Sequence, residues 1–472
     1  IEGSDNCKRI TMLVVALEDV YFNYGQLVKT ASRHDDCLFY MPGFWYRRNL
    51  RSPKEAPSFH TSDSWIVRED RLSTPLTAIY DEKSGKSFSV VRIDEFDSDA
   101  LTTHKEGEVI LSGKTSIGYT GFENKDGISA LSFGYPYREA PKTYIRKLTL
   151  APSVEAYQFL KKGESITLTW EVSERNVNDF SECVKQIWEY SYDLYKPEPV
   201  NTPYSDEKMK EVLSNFFVES YVDDTPTKYY SGVELRTATC ENLDVAEVGF
   251  VGRTLLNAFN ALEYGESQNR KDLVDNANSI FDSYLQNGFS SRGFFNEVVH
   301  FKRNFVETNL SIRRQSEGVY AVLYYLNYEK QHGRKHPEWE KRLKTMLDAF
   351  LKLQNPDGSF PRKFKDDFSL VDKSGGSTPS ATLPLVMGYK YFKDKRYLEA
   401  AKRSVGYLEK ELISKADYFS STLDANCEDK EASLYASTAA YYLALATKGQ
   451  ERVHYAELAK KAAYFALSWY YT

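Results

Sequence analysis

The chain has 472 residues, 42% hydrophobic and 27% charged, with a formal net charge of −6. That length points to two or three domains, and the balance is that of a globular protein. With no run of eighteen apolar residues, no basic stripe and no nucleic-acid module signature, neither a membrane-spanning helix nor a nucleic-acid partner is expected. Aromatic residues reach 14%, with 35 Tyr and 27 Phe. Large amphipathic rings stack on sugars as well as filling cores, so the composition leans toward carbohydrate handling.

The five cysteines (Cys7, Cys37, Cys183, Cys240, Cys427) are scattered, with no CxxC. That pattern argues against a zinc ribbon, a redox pair and a disulfide scaffold. Seven histidines show no HExxH, and neither a metal nor a cofactor is expected. The chain opens at Ile1 without Met or an apolar leader, as though a signal peptide or an upstream domain had been removed.

From the start to about residue 176 the sequence reads as β. "SFSVVRIDEF", "EVILSGKTSIGYTGF", "TYIRKLTLAP" and "ESITLTWEVSE" alternate apolar and polar residues between turn residues, the pattern of an antiparallel sandwich. The stretch "HDDCLFYMPGFWYRRNLRSPKEAPSFHTSDSW" has no clean period and reads as a long ordered loop. Its Trp45, Tyr46, Arg47 and Arg48 are expected to lean over the helical region, with Trp45 and Arg47 completing a sugar subsite. Residues 177–204 hold one amphipathic linker helix and a Pro-bearing connection.

Residues 205–472 read as helix. Segments apolar nearly all round (246–259, 316–326, 380–392, 431–446) alternate with amphipathic ones (271–286, 337–354, 395–412, 453–471). Helices of the first kind are buried and those of the second kind coat them. Recurrence at this spacing marks a helical-hairpin repeat, an inner ring wrapped by an outer ring. Nine helices are expected, and the ring is either incomplete or continued beyond residue 472. "QNPDGSF" (354–360) is similar to the Q-x-x-D-G-S-aromatic turn of terpene cyclases, but one copy is also ordinary turn chemistry after a helix. "DKSGGSTPSAT" (372–382) reads as a flexible cavity-rim loop.

The acids that would open the inner helices form the catalytic shortlist: Asp244, Glu247, Glu317, Asp424, Glu428, Asp429 and Glu431. Hydrolysis of a glycosidic bond needs one carboxylic acid to protonate the leaving oxygen and one carboxylate as nucleophile or base. Glu317 stands out because "SIRRQSEGVY" puts Arg313 and Arg314 beside it, able to orient the acid or to fork a uronate carboxylate. An ion pair closing a helix start is the structural alternative. "LDANCEDKE" crowds Asp424, Glu428, Asp429 and Glu431 before a helix, where capping competes with catalysis. The chosen catalytic set is Glu317, Asp424, Asp429 and Glu431, with Arg313, Arg314, Trp45, Arg47, Asp244 and Glu247 as substrate contacts.

The order of sandwich, linker helix and α/α toroid resembles the six-hairpin glycosidase superfamily. The resemblance implies an α+β multidomain protein whose active site lies at one end of the toroid, in the segments leading into the inner helices. It also implies a bacterial enzyme, periplasmic or extracellular, degrading a poly- or oligosaccharide. Expected boundaries are 1–176, 177–204 and 205–472. The expected activity is two-carboxylate glycoside hydrolysis, on a neutral or a uronic-acid-containing substrate. A polysaccharide lyase acting by β-elimination and a non-catalytic glycan-binding protein are the alternatives, and the oligomeric state stays open.

Overall fold

The computed structural model describes residues 2–4, 6–94, 110–112, 115–146, 148–199, 201–230, 235–236, 241–242, 244–419 and 427–470. The first half pairs its strands into two large sheets. One runs in the order Glu2–Ser4, Cys7–Val15, Ser165–Asn176, Lys86–Arg92, Leu76–Asp81, Cys37–Met41, Trp45–Arg47, antiparallel throughout. The other is built around Thr149–Leu160, Arg138–Arg146, Trp65–Arg68, Tyr119–Lys125, Ile128–Tyr135 and Tyr24–Arg33. Their facing sides share a core of Phe39, Trp45, Trp65, Phe122, Phe133 and Trp170.

The expected loop around residues 34–65 is corrected here, because it contains two core strands. Every residue of Cys37–Met41 is buried. Cys37, Phe39 and Met41 enter the core between the sheets, while Leu38 and Tyr40 enter a second core shared with the helices. Successive side chains of a strand point to opposite faces. When both faces are covered, the apolar–polar alternation that marks a strand disappears.

Helix α1 (Phe180–Tyr195) follows the last strand, with Asp179 as N-cap accepting from the Glu182 N–H at 2.7 Å. Its buried face, Phe180, Cys183, Val184 and Ile187, packs into the core shared with the seven-stranded sheet. Nine helices follow among the described residues: α2 (Asp206–Glu219), α3 (Thr254–Gln268), α4 (Lys271–Asn287), α5 (Ile312–Gln331), α6 (Pro337–Leu353), α7 (Thr378–Phe392), α8 (Lys395–Leu408), α9 (Lys430–Ala446) and α10 (Gly449–Leu467). Helices α3, α5, α7 and α9 touch in that order, and α4, α6, α8 and α10 pack against them. This is the toroid-like alternation of inner and outer helices. No helix among the described residues is long and apolar enough to cross a membrane.

Three local expectations change. Residues 245–247 form a strand paired with Val298–His300, so α3 starts only at Thr254. Glu317 lies inside α5 rather than ahead of it. Residues 375–378 are buried, and a Cβ on Gly376 would sit 2.6 Å from the Phe419 ring, so this segment is packed chain and not a loose rim. The "QNPDGSF" turn behaves as turn chemistry. Asp357 accepts from the Ser359 N–H at 3.0 Å, and Gly358 supplies a φ of +93°.

Candidate active site

The N-terminal ends of α3, α5 and α9 gather most of the acids and arginines singled out in the sequence. Glu317 is 1% exposed. One carboxylate oxygen accepts from Arg313 Nε at 3.3 Å and from the Tyr435 hydroxyl, with Arg253 Nη2 at 3.6 Å. The other oxygen accepts from the Phe250 N–H. Gly249 permits that approach, since a Cβ there would lie 2.6 Å from the Glu317 oxygen. Burial, then the nearby carboxylate, push the Tyr435 hydroxyl pKa far up. Arg313, also 1% exposed, reaches past Glu317 to Glu431 Oε2 at 2.7 Å, and the Glu431 side chain is 37% exposed.

These contacts correct the role expected of Glu317. A proton donor needs a free acid facing substrate, and this carboxylate is sealed among four donors. Arg313 is likewise too buried to fork a substrate carboxylate. Asp429 is the N-cap of α9, accepting from the Glu431 N–H at 2.8 Å, so capping explains it. Asp424 lies outside the described residues. Asp244 pairs with Lys302. Trp45 is 0% exposed inside the sandwich and cannot stack on a sugar. Its neighbour Tyr46 meets the helical region instead, stacked on Trp469 at 5.1 Å and bonded to Ser468 Oγ at 2.7 Å.

A second cluster surrounds Arg314. Its guanidinium meets Glu247 at 2.6 Å, with Glu297 at 3.9 Å and Glu307 at 4.0 Å. Glu297 is fully buried and accepts from the Ser311 N–H and from Gln315 Nε2. Burial pushes its pKa up to about 8, and burial also raises that of Glu247. Buried acids of this kind brace the loops behind the inner-helix ends.

A cleft of about 440 Å³ is bounded by Arg47, Arg48 and Arg51 from the sandwich, and by Asp417 and Glu428 from the α8–α9 connection. Arg51 holds Asp417 in a two-point fork at 2.8 and 2.7 Å, and its guanidinium lies 3.3 Å over the Phe419 ring. Glu428 accepts from Ser52 Oγ at 3.3 Å. Burial first, and the Asp417 charge after it, push the Glu428 pKa up to about 7. Arg47 donates to the Lys415 carbonyl at 2.5 Å, so of the two predicted sandwich contacts it is the one that faces the cleft.

Glu428 was on the sequence shortlist and outside the chosen set. It precedes α9, which begins only at Lys430. Asp417 was missed, because "SKADYFS" carries no periodicity to mark it.

No protein-family model matches the chain, and no curated protein matches it. Among solved structures it is similar to unsaturated glucuronyl hydrolase from Bacillus sp. GL1, with 13% identity over 61% of this chain and 74% of that one, at a TM-score of 0.40. It is similar to cellobiose 2-epimerase from Bacillus thermoamylovorans, with 14% identity, 55% and 71% coverage and a TM-score of 0.41. A possible member of the GH105 family from Salmonella enterica matches with 12% identity, 61% and 69% coverage and a TM-score of 0.40. Likeness at this level carries no information on substrate or reaction, which have to come from the residues of the cleft.

Proposed function

We propose that the protein is a carbohydrate-active enzyme, a glycoside hydrolase that works in the cleft between the sandwich loop and the α8–α9 connection. The observation that carries this reading is the pairing of Glu428, with its pKa near 7, and Asp417 in one arginine-rimmed space. Two carboxyl groups in different surroundings divide the labour of acid and base. With a pKa near 7, Glu428 is still partly protonated at neutral pH and serves as the general acid. Asp417 is the carboxylate partner, because an Arg fork leaves a carboxylate with further lone pairs for a water or an anomeric carbon. The remaining N–H groups of Arg47 and Arg48 suit a substrate carrying a carboxylate, such as a uronate, while Arg51 is engaged with Asp417. A periplasmic or extracellular location belongs to the same proposal, and cell fractionation tests it.

Non-catalytic glycan binding is the second reading, and the sealing of Glu317 favours it. Its carboxylate is spent on contacts with Arg313, Tyr435 and the Phe250 N–H. The deciding experiment assays purified wild type and Glu428→Gln on uronate-bearing and neutral polysaccharides, following reducing ends and ultraviolet-absorbing unsaturated ends. Reducing ends that fall by two or more orders of magnitude in the variant support the hydrolase. Unsaturated ends mean a lyase, with His60, which holds the Leu50 carbonyl at the cleft's rim at 2.9 Å, as its imidazole. Retained glycan affinity without turnover means a binding protein.

A further inference from the structure

Helices α5 and α9 face each other in constant register. Arg313 meets Glu431, Glu317 meets Tyr435, and the Tyr324 hydroxyl meets that of Tyr442 at 3.0 Å, each pair 118 residues apart. The two helices therefore run parallel, and the last pair sits two turns, about 10 Å, along the axis from Glu317. A cavity of about 190 Å³ opens there, between α5, α7 and α9.

The walls of this cavity combine aromatic and apolar faces with a few polar groups. Tyr324, Tyr391 and Tyr442 line it, with Leu323 and Met387 adding apolar surface. The Tyr391 ring is fixed by its hydroxyl on Glu340 Oε1 at 2.6 Å, and Lys330 Nζ lies 4.9 Å from its centroid. Asn327 and Lys390 complete the lining, with Lys390 Nζ 6.0 Å from the Tyr442 centroid, and no carboxylate takes part among the described residues. Two hydroxyls that bond each other still have acceptor lone pairs to offer. The volume falls below the usual range of about 300–1,000 Å³ for ligand pockets, which limits the occupant to one ring.

We infer that this cavity is a second carbohydrate site, at the opposite end of the inner helices from Glu317. It takes a single hexose-sized ring, with tyrosine faces against the ring's C–H surface and Asn327 and the tyrosine hydroxyls on its hydroxyl groups. Lys390 favours a ring that carries a carboxylate. The inference does not depend on the cleft being a hydrolase, since none of these residues touches Asp417 or Glu428.

Isothermal titration of the whole chain with D-glucuronate and D-glucose tests it. Saturable binding in the millimolar range is expected for glucuronate, and weaker binding for glucose. Tyr442→Ala weakens glucuronate at least tenfold. Lys390→Gln, an exposed substitution that leaves the melting temperature unchanged, brings glucuronate down to the affinity of glucose. Arg51→Ala, in the other cleft, removes at most a separate cleft-bound component and leaves the Tyr442-dependent affinity in place. Absence of binding overturns the inference. So does glucuronate binding that survives Tyr442→Ala and Lys390→Gln but is lost in Arg51→Ala, because the sugar then sits only in the cleft.

Discussion

At the scale of single residues, burial sets the carboxyl group proposed for chemistry apart from those that do structural work. Glu428 is partly buried with Asp417 nearby, and its pKa rises to about 7. A general acid acts in its protonated form, so turnover is expected to fall as pH rises through about 7. A pH–rate profile with no inflection near that value would remove Glu428 from the role. Glu317 is the opposite case. Glu317→Gln withdraws a charge from a buried network that includes Arg313, and a loss of roughly 3–5 kcal/mol is expected in denaturant unfolding. Loss of turnover with full stability would instead restore Glu317 as a catalytic group.

Glu297 adds a pH dependence of its own. Its folded pKa of about 8 lies above its ordinary value of 4.5. Between those values the folded state keeps a proton that the unfolded chain releases, so stability drains away as pH rises across that window. Glu428 acts with the same sign up to about 7. The melting temperature of wild type should therefore fall from about pH 5 to pH 8 more steeply than that of Glu297→Gln. Parallel curves for the two proteins would show that Glu297 carries no such load.

At the scale of elements, one short strand separates two neighbouring aromatic residues by function. Trp45 turns into the sandwich core, against Phe122 at 5.1 Å and Trp65 at 5.6 Å. Tyr46 turns outward onto Phe465 and Trp469 near the end of α10. Trp45→Ala is expected to cost about 3–5 kcal/mol as a core truncation, with glycan affinity unchanged among the molecules that stay folded. Weakened affinity at an unchanged melting temperature would return Trp45 to a sugar subsite.

At the scale of the molecule, the sheets and helices are less separable than two domains joined by a linker. Leu38, Tyr40, Leu76 and Tyr80 of the seven-stranded sheet share one core with α1 and the helices beyond it. Arg51 crosses from the sandwich to Asp417, and Tyr46 to Ser468. Protease should cut in the Pro-bearing connection between α1 and α2, yet the two fragments should elute together in gel filtration until denaturant is added. Fragments that part under native conditions would refute the shared core.

Much of this architecture was legible in the chain. Local periodicity carries the change from strand to helix, since period two ends with "TLTWEVSE" and period 3.6 begins in "SECVKQIWEYSYDLY". The two kinds of helix were legible for the same reason, because a helix buried on every side differs in composition from one that coats it. The strand Cys37–Met41 was not, because a strand covered on both faces loses its alternation. The site was legible only as a shortlist. Residue type and spacing place Glu317 beside Arg313, but whether those arginines turn toward substrate or toward Glu317 depends on packing around Gly249 and Tyr435, far apart in the chain. Asp417 and Arg51 lie 366 residues apart. Only the seating of the sandwich loop on the α8–α9 connection brings them together, and burial in that contact raises the Glu428 pKa, a quantity no single stretch of sequence contains.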